Sequence, residues 1–387
     1  MNQFDSIYGN YSPKDWLTPL IQTPVVQRLR WVALSNIPSL TYPMISGVSR
    51  YAHSLGVSHL GEVLATHLQF SDKDRRTLIC AGLLHDAGMP PLGHITEEAL
   101  GSVGICFDHE ESLRRILLDE GRRFHQMPDG EKVGLTEAIN KIHADSNEIF
   151  ETIIGKGRLG EYLASNIDID NIDNVIRLYR LIFPGDKGYC PESIVREHFS
   201  ETVAADDCRL VWGSVRKKLY TKLMFSIEDF AQKATMKRVI KAYLELELSE
   251  STEDDVLDSL RFLNDAEFLN KILSRLSGTK QHCSFYSGKF DKIVSYGWVD
   301  SIEKGELLKL RKTLVDDNYY FDFIPDKRSK KDSGVMARGA LVGLFSYGGT
   351  NKSKDTSMRC VMIEKVPGLR ENYTPESEDE NHQLSFI

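Results

Sequence analysis

Four metal-binding side chains constrain this chain more than anything else in it: His53 in RYAHSLGV, His85 and Asp86 in LLHDAG, and Asp170 in NIDIDNID. The first three sit on two consecutive helical segments and the fourth arrives much later, so a single site must gather distant parts of the chain. Such a set can hold one divalent cation and still leave coordination positions open for water and a substrate oxygen. The chemistry it suggests is hydrolysis, with a phosphate ester as the expected substrate.

The two helical segments are legible from spacing. Leu55, Leu60, Val63, Leu64 and Leu68 recur at helical intervals, as do Leu78, Leu83 and Leu84 in the next segment, so each helix can bury one apolar stripe. Ser71 with Asp74 reads as the entry to the second. From Glu161 to Ile182 a broad apolar face carries Tyr162, Leu163, Ile172, Val175, Ile176 and Tyr179, with Asp170 and Asp173 one turn apart. Further helices are expected around 213–248 and 254–276.

Most of the eleven histidines have a bland reading. His59, His67, His125, His143, His198, His282 and His382 are read as hydrogen-bonded core or surface residues. His85 and Asp86 differ, because two polar side chains directly after Leu83 and Leu84 are costly to bury unless something charged or hydrogen-bonding meets them. Ala87-Gly88 and Pro90-Pro91 end the helix there and open room for a ligand.

Past residue 283 the texture changes to Gly, Tyr and short apolar runs. Ala340–Phe345 and Cys360–Ile363 read as short strands joined by a polar loop at 348–357. The fold class expected is mainly α, with a small α+β C-terminal appendage. The expected domains are a core at 1–210, a helical extension at 211–282, the α+β region at 283–373, and an acidic, mobile tail at 374–387.

With 387 residues, 41% hydrophobic and 27% charged, the chain can bury a large core. No apolar run approaches the roughly 20 residues of a membrane span, and MNQFDSIYGN lacks a signal peptide's basic and apolar regions. No membrane partner and a cytoplasmic location are therefore expected. Six scattered cysteines form no CxxC pair, which argues against a zinc ribbon or a disulfide framework. The net charge of −8 gives no global attraction for nucleic acid, and the basic run Lys327–Lys331 reads as a solvated loop.

The stretch from Thr23 to Ala65, followed by LLHDAGMPPLGH, FDHEESLRRIL and IDIDNID, resembles the HD-domain superfamily. Within it the similarity is greatest to the deoxynucleoside triphosphate triphosphohydrolases, the group containing the bacterial dGTPases. Five separate motifs agree in order and spacing, and the resemblance covers roughly residues 15–300. It implies an HD-type helical fold in which His53, His85, Asp86 and Asp170 hold one metal ion. Mn²⁺, Fe²⁺, Co²⁺, Ni²⁺, Mg²⁺ and Zn²⁺ are not distinguished by the donor set.

By the same resemblance, His94, Glu97 and His109 fall where the family keeps its acid/base group with a carboxylate and a His partner, and Arg50 matches a phosphate-contacting position. The bland alternative for His94 and Glu97 is a capped helix start after the Pro-Pro turn. Asp168 and Asp173 either orient metal ligands or cap and solvate their helix. The substrate shell departs from the family. Met89 stands where a phosphate-contacting imidazole is usual, Asn174 and Leu178 where a Tyr and an Asp engage sugar and phosphates, and Leu34 where many members carry a Gln.

Gln27 and Arg30 match positions that take a regulatory nucleotide in some members, although Gln22 replaces the usual acidic residue. A nucleotide activator and a homo-oligomer are implied by analogy. The leading expectation is a dNTP triphosphohydrolase-like enzyme with altered substrate preference. The alternatives are phosphodiester cleavage of a nucleic-acid end or cyclic nucleotide, a nucleotide-sensing module with little turnover, and a dinuclear centre in which His94 or His109 holds a second metal.

Overall fold

The computed structural model describes residues 3–36, 39–118, 134–186, 189–200, 204–279, 290–316, 318–326, 336–347 and 352–375. They divide into two compact units, Met1–Trp212 with Ile240–Ser277, and Gly213–Val239 with Gly278–Ile387. The fold is mainly helical with a small β-containing C-terminal region, as expected.

The first unit opens on an antiparallel hairpin, β1 (Gln3–Asp5) and β2 (Gly9–Tyr11), with Phe4 opposite Asn10. Two short helices, α1 (Thr18–Ile21) and α2 (Pro24–Arg28), each carry Pro in the first turn, where its missing N–H is no loss. The centre of the unit is α3 (Arg50–His67) packed on α4 (Asp72–Leu84). Ser49 caps the first by accepting from Ala52 N, and Ser71 caps the second by accepting from Asp74 N. Leu55, Leu60 and Leu64 are buried with Leu78, Leu83 and Leu84, about 1.5–3 kcal/mol of hydrophobic stabilisation apiece. Val63 and Leu68 are half-buried. Gly82 lets the helices close up, since a Cβ there would stand 3.1 Å from the backbone of Val57 and Ser58.

Around this pair stand α5 (His94–Ser102), α6 (His109–Leu118), α7 (Leu135–Lys141), α8 (Ser146–Ile153), α9 (Ile169–Ile182) and α10 (Pro191–His198). Both α9 and α10 pack on α3, and α8 packs on α4. The apolar stretch from Glu161 to Ile182 is not one helix. Gly160–Tyr162 is a single 3-10 turn, and α9 begins only at Ile169. Asp168 sets that start: its carboxylate accepts from the backbone N–H of Asn171 and of Ser165.

The expected helices at 213–248 and 254–276 are found as α11 (Ala204–Met224), α12 (Ile227–Glu250), α13 (Glu253–Phe262) and α14 (Asp265–Leu276). The last is opened by a capping box between Asn264 and Glu267. Residues 211–282 are thus shared between the two units.

In the second unit a four-stranded antiparallel sheet has the order β4-β5-β3-β6. Its elements run β3 (Lys292–Glu303), α15 (Lys304–Thr313), β4 (Tyr319–Pro325), β5 (Met336–Ser346), α16 (Lys352–Lys365) and β6 (Leu369–Glu371). One apolar cluster joins Phe321, Val342 and Leu344 to Leu307, Met362 and Val366; another joins Trp298, Leu341 and Phe345 to Phe225, Phe230 and Ala234. Ala340–Phe345 is a strand, as read from sequence, but Cys360–Ile363 is helical. Packing explains the correction: Met358, Met362 and Val366, spaced by four, face the core while Cys360 and Ile363 are exposed.

The basic run 327–331, residues 348–351 of the polar loop expected at 348–357, Cys283 and the acidic tail beyond Pro375 lie outside the described residues, while 352–357 are not loop but the start of α16. Cys80, Cys106, Cys190, Cys208 and Cys360 are free thiols. Among the described residues no helix is long and apolar enough to cross a membrane.

Candidate metal centre

His53 lies in the first turn of α3, His85 and Asp86 directly follow α4, and Asp170 opens α9. Packing of α3 on α4 and α9 brings them together. His53 Nε2 lies 3.2 Å from His85 Nε2 and 2.9 Å from Asp170 Oδ1, with His85 Nε2 3.5 Å from the same oxygen. Asp86 Oδ2 stands 3.9 Å from His53 Nε2 and 3.6 Å from His85 Nε2.

The outer ring nitrogens settle which tautomers fit. His85 Nδ1 meets Gly82 O at 2.9 Å, an acceptor only, and His53 Nδ1 meets Asp173 Oδ1 at 2.7 Å. Both Nδ1 atoms must therefore donate. In the neutral rings both Nε2 lone pairs then point at one another and at two carboxylates. Four electron-pair donors converging without a proton between them repel, and a cation removes the conflict. The spacing fits as well, because two nitrogens at about 2.1 Å from one metal stand roughly 3.0–3.4 Å apart.

Electrostatics point the same way. Burial opposes a charge on His53, but hydrogen bonds to Asp170 and Asp173 outweigh it and push the ring up to about 9. His85 is raised too, burial again opposing and Asp86 and Asp170 prevailing. Burial would also raise Asp86 and Asp170, yet Arg50 and the imidazoles hold the first, and the two imidazoles the second, well below the usual carboxylate range. Two ionised carboxylates and two imidazoles suit one divalent ion. The Asp170 side chain is 34% exposed while those of His53 and Asp86 are buried, so solvent reaches the cluster from the Asp170 side.

Asp173 and Asp168, which sequence left with two readings each, divide them. Asp173 holds His53, a candidate metal ligand, by its second nitrogen, the place where a metal-bound histidine usually has its outer partner. Asp168 caps α9, and burial together with the neighbouring Asp170 charge raises it to about 7.

Beside this cluster, Glu97 bridges two imidazoles. Its Oε2 is 2.5 Å from His94 Nδ1 and its Oε1 is 2.8 Å from His109 Nδ1. His94 is the first residue of α5 and Glu97 lies in the first turn of that helix, so the helix start itself presents the pair. Burial opposes ionisation of Glu97, but His109 and His94 lower it to about 2, and Glu97 in turn raises His109 against its burial. Both sets, His53/His85/Asp170 and His94/Glu97/His109, have ligand atoms close enough together to hold an ion.

Arg50 is buried and already committed, Nη1 donating to Asp86 Oδ2 at 2.7 Å and Nη2 to Asn36 Oδ1 at 3.0 Å. Of the altered shell positions, Leu34, Met89 and Leu178 are buried and Asn174 is half-buried with its Oδ1 unpaired. Gln27 and Arg30 meet each other, Arg30 Nε donating to Gln27 Oε1 at 2.7 Å while its guanidinium lies 3.8 Å over the Tyr51 ring.

Sequence reading missed the residues that frame the site. Asn36, with φ +63°, accepts from Arg50 and from His94 N. Gly93 makes this contact feasible: at φ +56° it favours glycine, and a Cβ would lie 2.1 Å from Asn36 Oδ1. Arg28 donates to the carbonyls of Met89, Ala87 and Leu263, and Asp265 accepts from Ala33 N and Leu92 N. The only signal for Asn36 was an Asn tolerant of left-handed backbone; Arg28 and Asp265 gave none.

Residues 50–153 match the HD domain family. Among curated proteins, a deoxynucleoside triphosphate triphosphohydrolase SAMHD1 homolog of Dictyostelium discoideum is 31% identical over 122 residues, 29% of this chain and 24% of that protein. Human deoxynucleoside triphosphate triphosphohydrolase SAMHD1 is 34% identical over 98 residues, 24% of this chain and 16% of the human one. A deoxyguanosinetriphosphate triphosphohydrolase-like protein of Listeria innocua is 22% identical over 260 residues, 64% of this chain and 50% of its own length. The chain thus spans half or less of the length of these relatives. It carries an HD domain over residues 50–153, with a His/Asp cluster suited to one divalent ion, and at modest identity over part of its length it is related to proteins named as deoxynucleoside triphosphate triphosphohydrolases.

Proposed function

We propose that the chain is a metal-dependent nucleotide phosphohydrolase of the dNTP triphosphohydrolase type, converting a deoxynucleoside triphosphate and water to deoxynucleoside and triphosphate, with altered substrate preference. The observation that carries the reading is the pairing, within one helical unit, of the converging His53/His85/Asp86/Asp170 donors with the Glu97-held imidazoles of His94 and His109.

A divalent cation held by the four donors would supply a water acidified to near-neutral pKa and a Lewis acid for phosphoryl oxygen. The rest falls to the chain's own groups. His94, half-exposed and tied by Nδ1 to Glu97, keeps Nε2 for the leaving alkoxide and gives it a proton. Glu97 stays ionised and fixes both imidazoles, and His109 braces Glu97 from its far oxygen. Arg50 holds Asp86 in place and adds positive charge beside the phosphoryl oxygens. Asn174 provides an amide toward the substrate.

The buried apolar side chains of Met89, Leu178 and Leu34 replace groups that in the family grip sugar and triphosphate, which supports a changed specificity on retained metal chemistry. Gln27 and Arg30 form the patch for a regulatory nucleotide, in a homo-oligomer acting in the cytoplasm. The test is incubation of the purified chain with Mn²⁺ and each dNTP and NTP separately and in mixtures, with products resolved by ion-pair chromatography and Asp86→Ala as control. Deoxynucleoside with intact triphosphate is the expected product pair. Absence of any turnover across the panel overturns the reading.

A further inference from the structure

We propose that the N-terminal hairpin is a positioning element of the metal centre, with Asp5 and Tyr8 fixing the His53 ring through Arg177 and Asp173. The inference rests on the reading of His53 as a metal ligand.

Asp173 is fully buried and its carboxylate takes four hydrogen bonds. Oδ1 accepts from His53 Nδ1 at 2.7 Å and Arg177 Nε at 2.8 Å; Oδ2 accepts from Tyr8 OH at 2.6 Å and Arg177 Nη2 at 2.9 Å. Arg177 is itself buried, and its remaining arm, Nη1, donates to Asp5 Oδ2 at 2.9 Å. Charges therefore alternate inward from the hairpin: Asp5, Arg177, Asp173, then the His53 ring.

The hairpin is shaped for this task. Asp5 Oδ1 accepts from Ile7 N at 2.7 Å and Tyr8 N at 3.4 Å, closing the turn that presents Tyr8, while Oδ2 of the same residue holds Arg177. Arg180 pins the turn to α9 through Ile7 O at 2.9 Å. The Tyr8 ring packs against His59 of α3, with centroids 4.8 Å apart. Gly56 clears the space beside Asp173, since a Cβ there would stand 1.9 Å from Asp173 Oδ2.

A carboxylate with four donors in fixed places cannot rotate, so His53 keeps its Nδ1–H tautomer and its Nε2 aim. Take away the Tyr8 hydroxyl or the Asp5 charge and Asp173 gains alternative settings, each of which misdirects a ligand. Loss of such outer partners lowers metal affinity about 10–100-fold.

The experiment measures Co²⁺ affinity by equilibrium dialysis against a competing chelator, on the full chain and on Tyr8→Phe and Asp5→Asn. Tyr8→Phe keeps the ring contact with His59, and Asp5→Asn keeps an oxygen for the turn. Thermal melts and the Co²⁺ absorption spectrum accompany each. Affinity lowered about tenfold or more in both variants, with an altered Co²⁺ spectrum in chains that remain folded, is the expected result. Variants that melt earlier yet bind Co²⁺ as tightly and with the same spectrum as the parent reduce the hairpin to a stabilising element and overturn the proposal. A parent chain that takes up no Co²⁺ overturns both this proposal and the metal reading beneath it. Turnover does not enter the readout, so a chain that binds Co²⁺ and hydrolyses no nucleotide sinks the proposed activity alone.

Discussion

His53 and His85 meet Nε2 to Nε2 at 3.2 Å, and each ring gives its other nitrogen to an acceptor, Asp173 Oδ1 and Gly82 O. The hydrogen-bonding of the outer edge thus decides what the inner edge can do. With both Nδ1–H groups spoken for, each neutral ring turns its remaining lone pair inward, where it can accept a cation, or a proton when no cation is held.

One tightly held divalent ion per chain is the expected stoichiometry, measured by elemental analysis after dialysis. Asp170→Ala and Asp86→Ala should each abolish tight binding, since each removes charge from a site whose remaining carboxylate is also drawn on, by Arg50 or by the imidazoles. Undiminished binding in Asp170→Ala would remove that residue from the ligand set. Two ions per chain would assign the second to His94, Glu97 and His109, whose atoms also lie within reach of one ion.

His94→Ala should leave the metal in place and lower turnover about 10²–10⁴-fold, the usual loss for a general acid. The variant removes a half-exposed ring that is hydrogen-bonded to Glu97 and packs edge-on against His109, so folding should survive. Full activity in the variant would return His94 to the role of a helix-opening residue.

What was legible in the sequence followed from local rules. The helices at His53 and His85 announced themselves through leucine spacing and, for the second, through the Ser71 entry, and the His-Asp pair stood out because polar groups after an apolar run need partners. Cys360–Ile363 misled because four apolar residues in a row fit a strand or a helix equally well, and only the tertiary partners of Met358 and Met362 chose. The frame of the site was invisible for a different reason. Asp5, Asn36 and Asp265 are ordinary turn and helix-start residues locally; their roles exist only because Arg177, Arg50 and Leu92 lie 172, 14 and 173 residues away along the chain.

Glu97 and His109 make stability depend on pH in a defined sense. His109 is raised above its ordinary 6.5, so its contribution is complete below 6.5 and fades as pH rises through the raised value. Glu97 is lowered from 4.5 to about 2, so its contribution is complete above 4.5 and is lost as pH falls toward 2. Between pH 4.5 and 6.5 both are whole. Urea denaturation should find the parent about 1–2 kcal/mol more stable than Glu97→Gln there, a figure already reduced for solvent screening. As pH rises above 6.5 and through the raised His109 value the gap should narrow. A gap that widened with rising pH would mean that the imidazoles are not the groups Glu97 stabilises.

Two helical glycines should respond in opposite directions to the same methyl group. At Gly56 the added Cβ would stand 1.9 Å from Asp173 Oδ2 and 2.6 Å from Arg177 Nη2, both on buried side chains locked in one network. Neither can retreat without breaking a bond to its neighbours, so Gly56→Ala should destabilise by about 1–3 kcal/mol, the range for overpacking. It should also weaken Co²⁺ binding, because the first atom displaced belongs to the carboxylate that holds His53. At Gly213, within α11 and exposed, nothing lies within 4 Å of the same atom. There only helix propensity changes, and Gly213→Ala should stabilise by about 0.5–1 kcal/mol with metal affinity untouched. Thermal melts and chelator competition on the two variants side by side separate a crowded network from ordinary helix propensity. Equal behaviour of the pair would mean that α3 shifts to accept the methyl group and that Gly56 is not what makes room for Asp173.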